Sequence, residues 1–194
     1  MFFKRKYEFR PDKNRSTLLN KLYLTKIQRL KLLKWLLIAV ALVFLSIVQD
    51  VVLCRVRIFG ATTDLVAYAI LVVCVILDPE VGCMFALISS SVYYFSGSAP
   101  GPYVIALLTI LGVVISILRQ SYLRYSFSSI FLGSAVAVMV YELALFCIGL
   151  ALDHITARAF SHFLLTGVFG FAIIPALYAL FTAIGKIGGE TWKE

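Results

Sequence analysis

Glu142 is an acidic residue inside an apolar segment of this chain, and a carboxylate in such a place could take part in chemistry. It stands alone as a carboxylate in the run VMVYELALFC, residues 138 to 147. A charged side chain at the centre of a membrane costs roughly 2.5 to 3.5 kcal/mol on insertion scales, so it usually faces a bundle interior. Such an acid could relay protons, contact a ligand, or act as a hydrogen-bonded strut between helices.

The strut interpretation is the one we favour, although all three stay open. A proton or ion pathway usually needs a chain of polar groups. The sequence predicts no second acid, and no Lys or Arg, at the depth of Glu142. Asp50 falls near the end of the first apolar segment, where we expect it to meet water or Arg55, five residues on.

The amino-acid composition indicates which class of protein holds these residues. The 194 residues are 61% hydrophobic and 14% charged, and the mean hydropathy is +0.96. Soluble domains are about 45 to 50% apolar and about 25% charged. We therefore predict an all-α integral membrane protein, a single bundle of six transmembrane helices, over these stretches: Trp35 to Leu53, Leu65 to Leu77, Val81 to Phe95, Tyr103 to Leu118, Ile130 to Leu152 and Phe163 to Ile184.

The second and third stretches are short for a membrane span. Extending the second stretch back to Ile58 gives the needed reach and places Asp64 within it. The predicted domain organisation is a basic cytoplasmic extension over residues 1–34, the transmembrane domain over 35–185, and a short cytoplasmic tail over 186–194. Residues 2–16, which contain Pro11, are predicted to be disordered, and residues 17–37 are predicted to form an interfacial helix that runs into the first span.

The distribution of Lys and Arg predicts the orientation. Eleven of the eighteen basic residues precede Trp35, which places the N-terminus in the cytoplasm. With six spans the C-terminus is also cytoplasmic, and the loop containing Arg119 and Arg124 lies on the same side. The net charge of +8 is concentrated beside the first span, so we attribute it to topology and to binding of anionic lipid, not to nucleic acid.

Small residues recur at helical spacing in the third span. Gly82, Ala86 and Ser90 are four residues apart and predict a surface on which another helix backbone comes close. The sixth span carries similar residues around a kink at Pro175. We interpret the stripe as helix packing, with the lining of a substrate cavity as the alternative.

No catalytic or metal-binding pattern is recognisable in the sequence. It lacks a Ser/His/Asp arrangement, an H-E-x-x-H helix and a Gly-rich phosphate loop. The four cysteines form no close C-x-x-C pair, and His154 and His162 match no familiar ligand spacing. We expect neither enzymatic activity, nor a cofactor, nor a metal.

The order of these features resembles the MreD family, bacterial rod shape-determining membrane proteins. The first span ends in SIVQDVVL, a loop RIFGATTDLVAYAILVV leads into the second span, and VGCMFALISSSVYYFSGSAPGPYVIALLTILG covers the third span, a turn and the fourth. The matched positions are Gln49, Gly60 and Asp64 of the family's G-x-x-P-D element, Gly82, and the turn glycines Gly97 and Gly101. The chain departs from the family at Thr63, Ala86, Ser90 and Tyr94 and in its long N-terminal extension, as a divergent member would.

The resemblance implies a function in cell elongation. MreD proteins are multi-pass proteins of the bacterial cytoplasmic (inner) membrane that bind MreC and work beside MreB, RodA and a class B penicillin-binding protein in lateral peptidoglycan synthesis and cell shape. For partner binding it points to the stripe of Gly82, Ala86 and Ser90, and to Asp64, Gly97 and Gly101.

An alternative comes from the span number and size. The family's fold resembles the substrate-binding S components of energy-coupling-factor vitamin transporters. In that case Glu142 and the aromatic turn of Tyr93, Tyr94 and Tyr103 are candidates for a vitamin pocket. Against this alternative, the first span lacks the A-x-x-x-A stripe with which S components dock on their transporter module.

Overall fold

The structure, a computed structural model, describes residues 26–53, 63–122, 126–153 and 155–187. Every regular element in these ranges is helical. The first helix continues into a π-helical turn, Gln49–Leu53, and a short 3-10 turn, Ala157–Ala159, precedes the last helix. The α-helices are α1, Lys26–Val48; α2, Leu65–Ile76; α3, Pro79–Phe95; α4, Tyr103–Tyr122; α5, Phe127–Ala151; and α6, Phe160–Gly185.

Four of these segments are long and apolar enough to cross a membrane. They are Arg29–Leu53, Tyr103–Ser121, Phe127–Ala151 and Ala157–Gly185, judged by length and composition. They indicate a membrane protein and agree with the first, fourth, fifth and sixth predicted spans. The count of six spans stays a prediction, because α2 and α3 have 12 and 17 residues. The proposed extension of the second span to Ile58 lies outside the described residues.

Helix α2 is the centre of the bundle. At 1.5 Å per residue its 12 residues reach about 18 Å, well short of a hydrocarbon core of about 30 Å. Every residue from Leu65 to Ile76 is buried, and α1, α3, α4, α5 and α6 all pack against it. The near-continuous apolar sequence of α2 therefore reflects burial inside the protein and not contact with lipid.

Glycine and alanine bring the helices of this bundle together. A Cβ atom on Gly112 of α4 would lie 2.8 Å from the Cβ atom of Ala86 and 3.1 Å from the Sγ atom of Cys74. A Cβ atom on Gly170 of α6 would lie 2.9 Å from Val138 and 3.0 Å from Tyr68. The prediction that small residues serve helix packing is thus confirmed for both regions.

Replacing Gly112 with leucine is expected to destabilise the fold strongly. The added side chain has no space between α2, α3 and α4, and overpacking of this kind typically costs about 1 to 3 kcal/mol or more. The melting temperature of the detergent-solubilised protein, followed by size-exclusion chromatography, measures the effect. Ala106→Leu is the matched control, because Ala106 is an exposed residue of the same helix. Equal melting temperatures for the two variants would contradict the close packing at Gly112.

The described helix ends differ from the predicted spans at some points. Helix α1 is continuous from Lys26, where the described residues begin, through Trp35, and residues 1–25 lie outside the described ranges. Arg119 belongs to α4 and not to a loop. The predicted turn between the third and fourth spans is present, and Gly97 adopts a φ of 79° there, a conformation that glycine accommodates readily.

Candidate functional site

The N-terminus of α2 is held by a buried polar cluster around Asp64. The Tyr93 hydroxyl donates to Asp64 Oδ1 at 2.7 Å, and the Tyr141 hydroxyl donates to Asp64 Oδ2 at 2.7 Å. The Ala67 backbone N–H donates to Oδ1 at 3.3 Å, which makes Asp64 the N-cap residue of α2. One carboxylate thereby joins α2, α3 and α5. We call this end of the bundle the Asp64 end.

Gln49 ties α1 into the same cluster. Its Oε1 atom accepts the Val66 backbone N–H at 2.9 Å, and its Nε2 atom donates to the Tyr93 hydroxyl at 3.3 Å. Gln49 is buried and begins the π-helical turn that ends α1. Such turns are frequent at functional sites, and this one presents a side-chain amide to the first turn of α2. We call Gln49, Asp64, Tyr93 and Tyr141 the Asp64 cluster.

Glu142 lies next to the Asp64 cluster and is 4% exposed. The Tyr68 hydroxyl is 2.6 Å from Glu142 Oε1 and 3.3 Å from the Thr166 carbonyl oxygen. The contact therefore connects α5 through α2 to α6. A buried acid that bonds a tyrosine of a neighbouring helix is the arrangement that the strut interpretation predicts, and its role stays a prediction.

The expectation that no second acid lies near the depth of Glu142 is wrong. Asp64 accepts a hydrogen bond from Tyr141, the residue before Glu142. Tyr68, the partner of Glu142, follows Asp64 by one helical turn of α2. The sequence analysis placed Asp64 within a second span extended back to Ile58. In the structure the helix is short and begins only after Asp64, which contacts Tyr141 near the middle of α5.

Glu142→Gln is expected to change stability little, because the amide oxygen still accepts from Tyr68. Glu142→Leu is expected to cost about 1 to 3 kcal/mol, because it removes an acceptor from a buried hydroxyl. Unfolding in mixed micelles with increasing fractions of dodecyl sulfate gives the two free energies. In the Tyr68→Phe background, the cost of Glu142→Leu is expected to shrink. A loss of ligand uptake in a folded Glu142→Gln protein would instead support the ligand-contact interpretation.

The C-terminus of α2 is held by Arg119 of α4. Its Nη1 atom donates to the carbonyl oxygens of Ile76 and Leu77, both at 2.6 Å, and its Nη2 atom is 3.9 Å from Asp78 Oδ1. The Ser116 hydroxyl donates to the Cys74 carbonyl oxygen at 2.7 Å. A cation at a helix C-terminus also complements the helix dipole. We call this end of the bundle the Arg119 end.

An apolar groove lies between α1 and α3 on the outside of the bundle. The two helices meet through Gln49 and Tyr93 at one end, 3.3 Å apart, and through the rings of Trp35 and Phe85, with centroids 6.2 Å apart, nearer the other. The space between them has a volume of about 670 Å³. The residues lining it include Leu42, Val43, Ile47, Met84, Ile88 and Val92.

The predicted partner-binding stripe is covered by the chain itself. Gly82, Ala86 and Ser90 are buried, and a Cβ atom on Gly82 would lie 2.6 Å from Ser116 Oγ of α4. Ser90 Oγ is 3.3 Å from Thr109 Oγ1 of the same helix. In this conformation α4 occupies the surface of the stripe, and partner contact at these three residues stays a prediction.

The remaining predicted site residues lie near the Asp64 end. Asp50 is exposed, and its Oδ2 atom accepts the Ser98 hydroxyl at 2.9 Å; its predicted partner Arg55 lies outside the described residues. Gly97 is exposed and Gly101 is half-buried in the turn between α3 and α4. Partner contact at Gly97 and Gly101 stays a prediction, whereas both oxygens of Asp64 already bind residues of this chain.

The sequence analysis did not identify the buried hydrogen bonds made by Tyr68, Tyr141 and Arg119. The signal for the tyrosines was their position in apolar helices, because a buried tyrosine hydroxyl usually finds a partner. The signal for Arg119 was its place at the end of an apolar run, which positive-inside topology explained equally well. In the described part of the chain, no group of three or more His, Cys, Asp or Glu residues could hold a metal ion.

Comparisons with known proteins do not name a family for this chain. No protein-family model, no curated protein and no solved structure matches it. The function proposed for this chain therefore rests on its sequence features and on the geometry around Asp64, Arg119 and the groove.

Proposed function

We propose that this chain is a non-enzymatic, multi-pass component of the bacterial cell-elongation complex, similar to MreD, that binds MreC in the cytoplasmic membrane. In this function the protein is a rigid support for lateral peptidoglycan synthesis, beside MreB, RodA and a class B penicillin-binding protein. The Asp64 end faces outward and the Arg119 end faces the cytoplasm, as the distribution of Lys and Arg predicts.

The hydrogen bonds made by Gln49 and Asp64 support this proposal most. Both are positions on which the resemblance to MreD rests. In the structure they share the hydroxyl of Tyr93 and hold the N-terminus of the buried helix α2. A polar cluster of this kind fixes helices relative to one another. It suits a protein that presents a defined surface to partners within the membrane.

The transporter alternative assigns Glu142 and Tyr93 to a vitamin pocket. In the structure both side chains give their polar atoms to residues of this chain, Glu142 to Tyr68 and Tyr93 to Asp64. No observation on the described residues favours the alternative. Affinity purification distinguishes the two functions.

The proposed function is tested by affinity purification of the tagged full-length chain from native bacterial membranes in mild detergent, with mass spectrometry of the bound proteins. We expect MreC and elongation synthases to be enriched over a purification with an unrelated tagged multi-pass protein. Enrichment of two ATPases and a coupling membrane subunit would overturn the proposal in favour of the vitamin transporter. Absence of MreC from a preparation that contains the folded chain would also contradict it.

A further inference from the structure

The groove between α1 and α3 stands where the ring of helices around α2 is incomplete. Six cylinders of equal diameter fit around a central one, and in the described part of the chain five helices surround α2. The pairs α3 and α4, α4 and α5, α5 and α6, and α6 and α1 pack against each other. Helices α1 and α3 do not pack against each other along their length, and the unfilled space around α2 lies between them.

The surface of the groove is apolar and open. Met84, Ile88 and Val92 of α3 are 68%, 61% and 56% exposed, and Val43 and Ile47 of α1 are 54% and 55% exposed. Large apolar side chains on both walls favour a lipid chain or another helix as the occupant. The two possibilities differ in how far along the membrane normal they reach.

The length of the groove favours a helix. Its lining runs from Trp35 to Asp50 on α1 and from Val81 to Ser96 on α3, about 22 Å on either wall at 1.5 Å per residue. A lipid chain anchored in one leaflet reaches about half of a hydrocarbon core of about 30 Å. A transmembrane helix follows both walls over their full length.

The charge at one end of the groove indicates which kind of helix can bind there. Among the described residues that line the groove, Asp50 alone carries a charge, and it lies at the Asp64 end. A basic residue at that end of the occupant would meet this carboxylate. The helix α1 of a second copy, inserted in the same orientation, would instead bring another Asp50 to the same level.

We propose that the groove between α1 and α3 docks one apolar transmembrane helix of a partner protein, whose end beside Asp50 carries Lys or Arg. The inference rests on the proposed function in taking the occupant from a partner chain. It deepens that function by locating the docking surface on lipid-exposed residues of α1 and α3.

Site-specific photocrosslinking in cells tests the docking surface. A benzophenone amino acid is placed at Ile88, in the groove, or at Val136, a 52% exposed residue of α5 outside it. With MreC co-expressed, we expect crosslinking of the Ile88 variant to the transmembrane segment of MreC, at least tenfold above that of the Val136 variant. Peptide mass spectrometry identifies the attached segment.

Charge variants complete the test. In the Ile88 variant, Asp50→Lys is expected to lower the crosslinking yield about fivefold, and Asp50→Asn to lower it less, because only the former repels a basic residue. Equal crosslinking at Ile88 and Val136, or Ile88 products with lipid or a second copy alone, would overturn the docking surface. An unchanged yield in the Asp50→Lys protein would overturn the basic end of the partner helix.

The outcomes separate the docking surface from the proposed function. Co-purification of MreC without an Ile88 product means that MreC binds elsewhere, so the docking surface fails and the proposed function stands. An Ile88 product with a basic-ended transmembrane segment of a different protein, with no MreC bound, supports the docking surface and contradicts the proposed function. If MreC does not bind and no Ile88 product forms, both the docking surface and the proposed function are contradicted.

Discussion

Replacing Asp64 with alanine is expected to lower the free energy of unfolding by about 2 to 4 kcal/mol, one of the largest effects of any single polar substitution in the described bundle. The change removes the acceptor of two tyrosine hydroxyls, on Tyr93 and Tyr141, and the N-cap of α2. Buried polar groups that lose their partners bear the full cost of desolvation, which makes this loss larger than that of an exposed hydrogen bond. Unfolding in mixed micelles with increasing fractions of dodecyl sulfate measures it.

The controls distinguish the cluster from a general effect of substitution. In a Tyr93→Phe and Tyr141→Phe background, Asp64→Ala is expected to cost less, because of the three donors to Asp64 only the Ala67 backbone N–H then loses its acceptor. Asp64→Asn is expected to fall between, because one oxygen still accepts. An equal cost of Asp64→Ala in both backgrounds would show that the tyrosine hydroxyls do not depend on Asp64.

Several features of the fold could be predicted from the sequence. Apolar runs between Trp35 and Ile184 marked the helices, because continuous hydrophobic segments have few alternatives to helix in a membrane. Four of them are long enough to cross a membrane. The small residues at Gly82, Ala86 and Gly170 likewise marked close helix contacts, which the structure places between α3 and α4 and between α6 and its neighbours α5 and α2.

The short central helix could not be predicted in the same way. A buried helix and a lipid-facing helix are both apolar, so hydropathy does not distinguish α2 from a membrane span. Its length is a clue, yet the preceding residues LCRVRIFGAT allowed an extension back to Ile58. The position of Asp64 depended on this choice, and with it the expectation that Glu142 had no acid nearby.

Hydrogen-bond partners between distant residues were equally hidden. Tyr68 and Glu142 are 74 residues apart, and Arg119 and Ile76 are 43 apart. Helical periodicity assigns a residue to a face of its own helix, and it does not tell which face of another helix meets it. Glu142 was therefore recognised as a polar residue that needs a partner, while Tyr68 was not recognised as that partner.

The two ends of α2 explain how a wholly buried helix is tolerated. Helix termini leave backbone N–H and C=O groups without partners inside the helix, and no lipid can satisfy them. At one end Gln49 and Asp64 accept from the N–H groups of Val66 and Ala67. At the other end Arg119 donates to the last carbonyl groups. Because neighbouring helices supply these partners, the ends of α2 also fix the positions of α1, α3, α4 and α5.

Arg119→Met provides the corresponding test at the other end of α2 and is expected to lower the free energy of unfolding by about 2 to 4 kcal/mol. Methionine is long and apolar, but it leaves the carbonyl oxygens of Ile76 and Leu77 without the guanidinium of Arg119, a residue that is only 4% exposed. Arg119→Lys is expected to lose about half as much, because an ammonium group reproduces the charge without the planar fork of donors.

Arg158→Met is the matched control for Arg119→Met, because Arg158 is exposed in the 3-10 turn that precedes α6. Surface substitutions of this kind usually change stability by no more than about 0.5 kcal/mol. The same micelle titration therefore compares the loss of a buried arginine with the loss of an exposed one. If both variants unfold alike, Arg119 does not hold the end of α2, and α2 must be stabilised by apolar packing alone. If only Arg119→Met is destabilised, polar contacts at its C-terminal end allow this 12-residue helix to lie wholly inside the bundle.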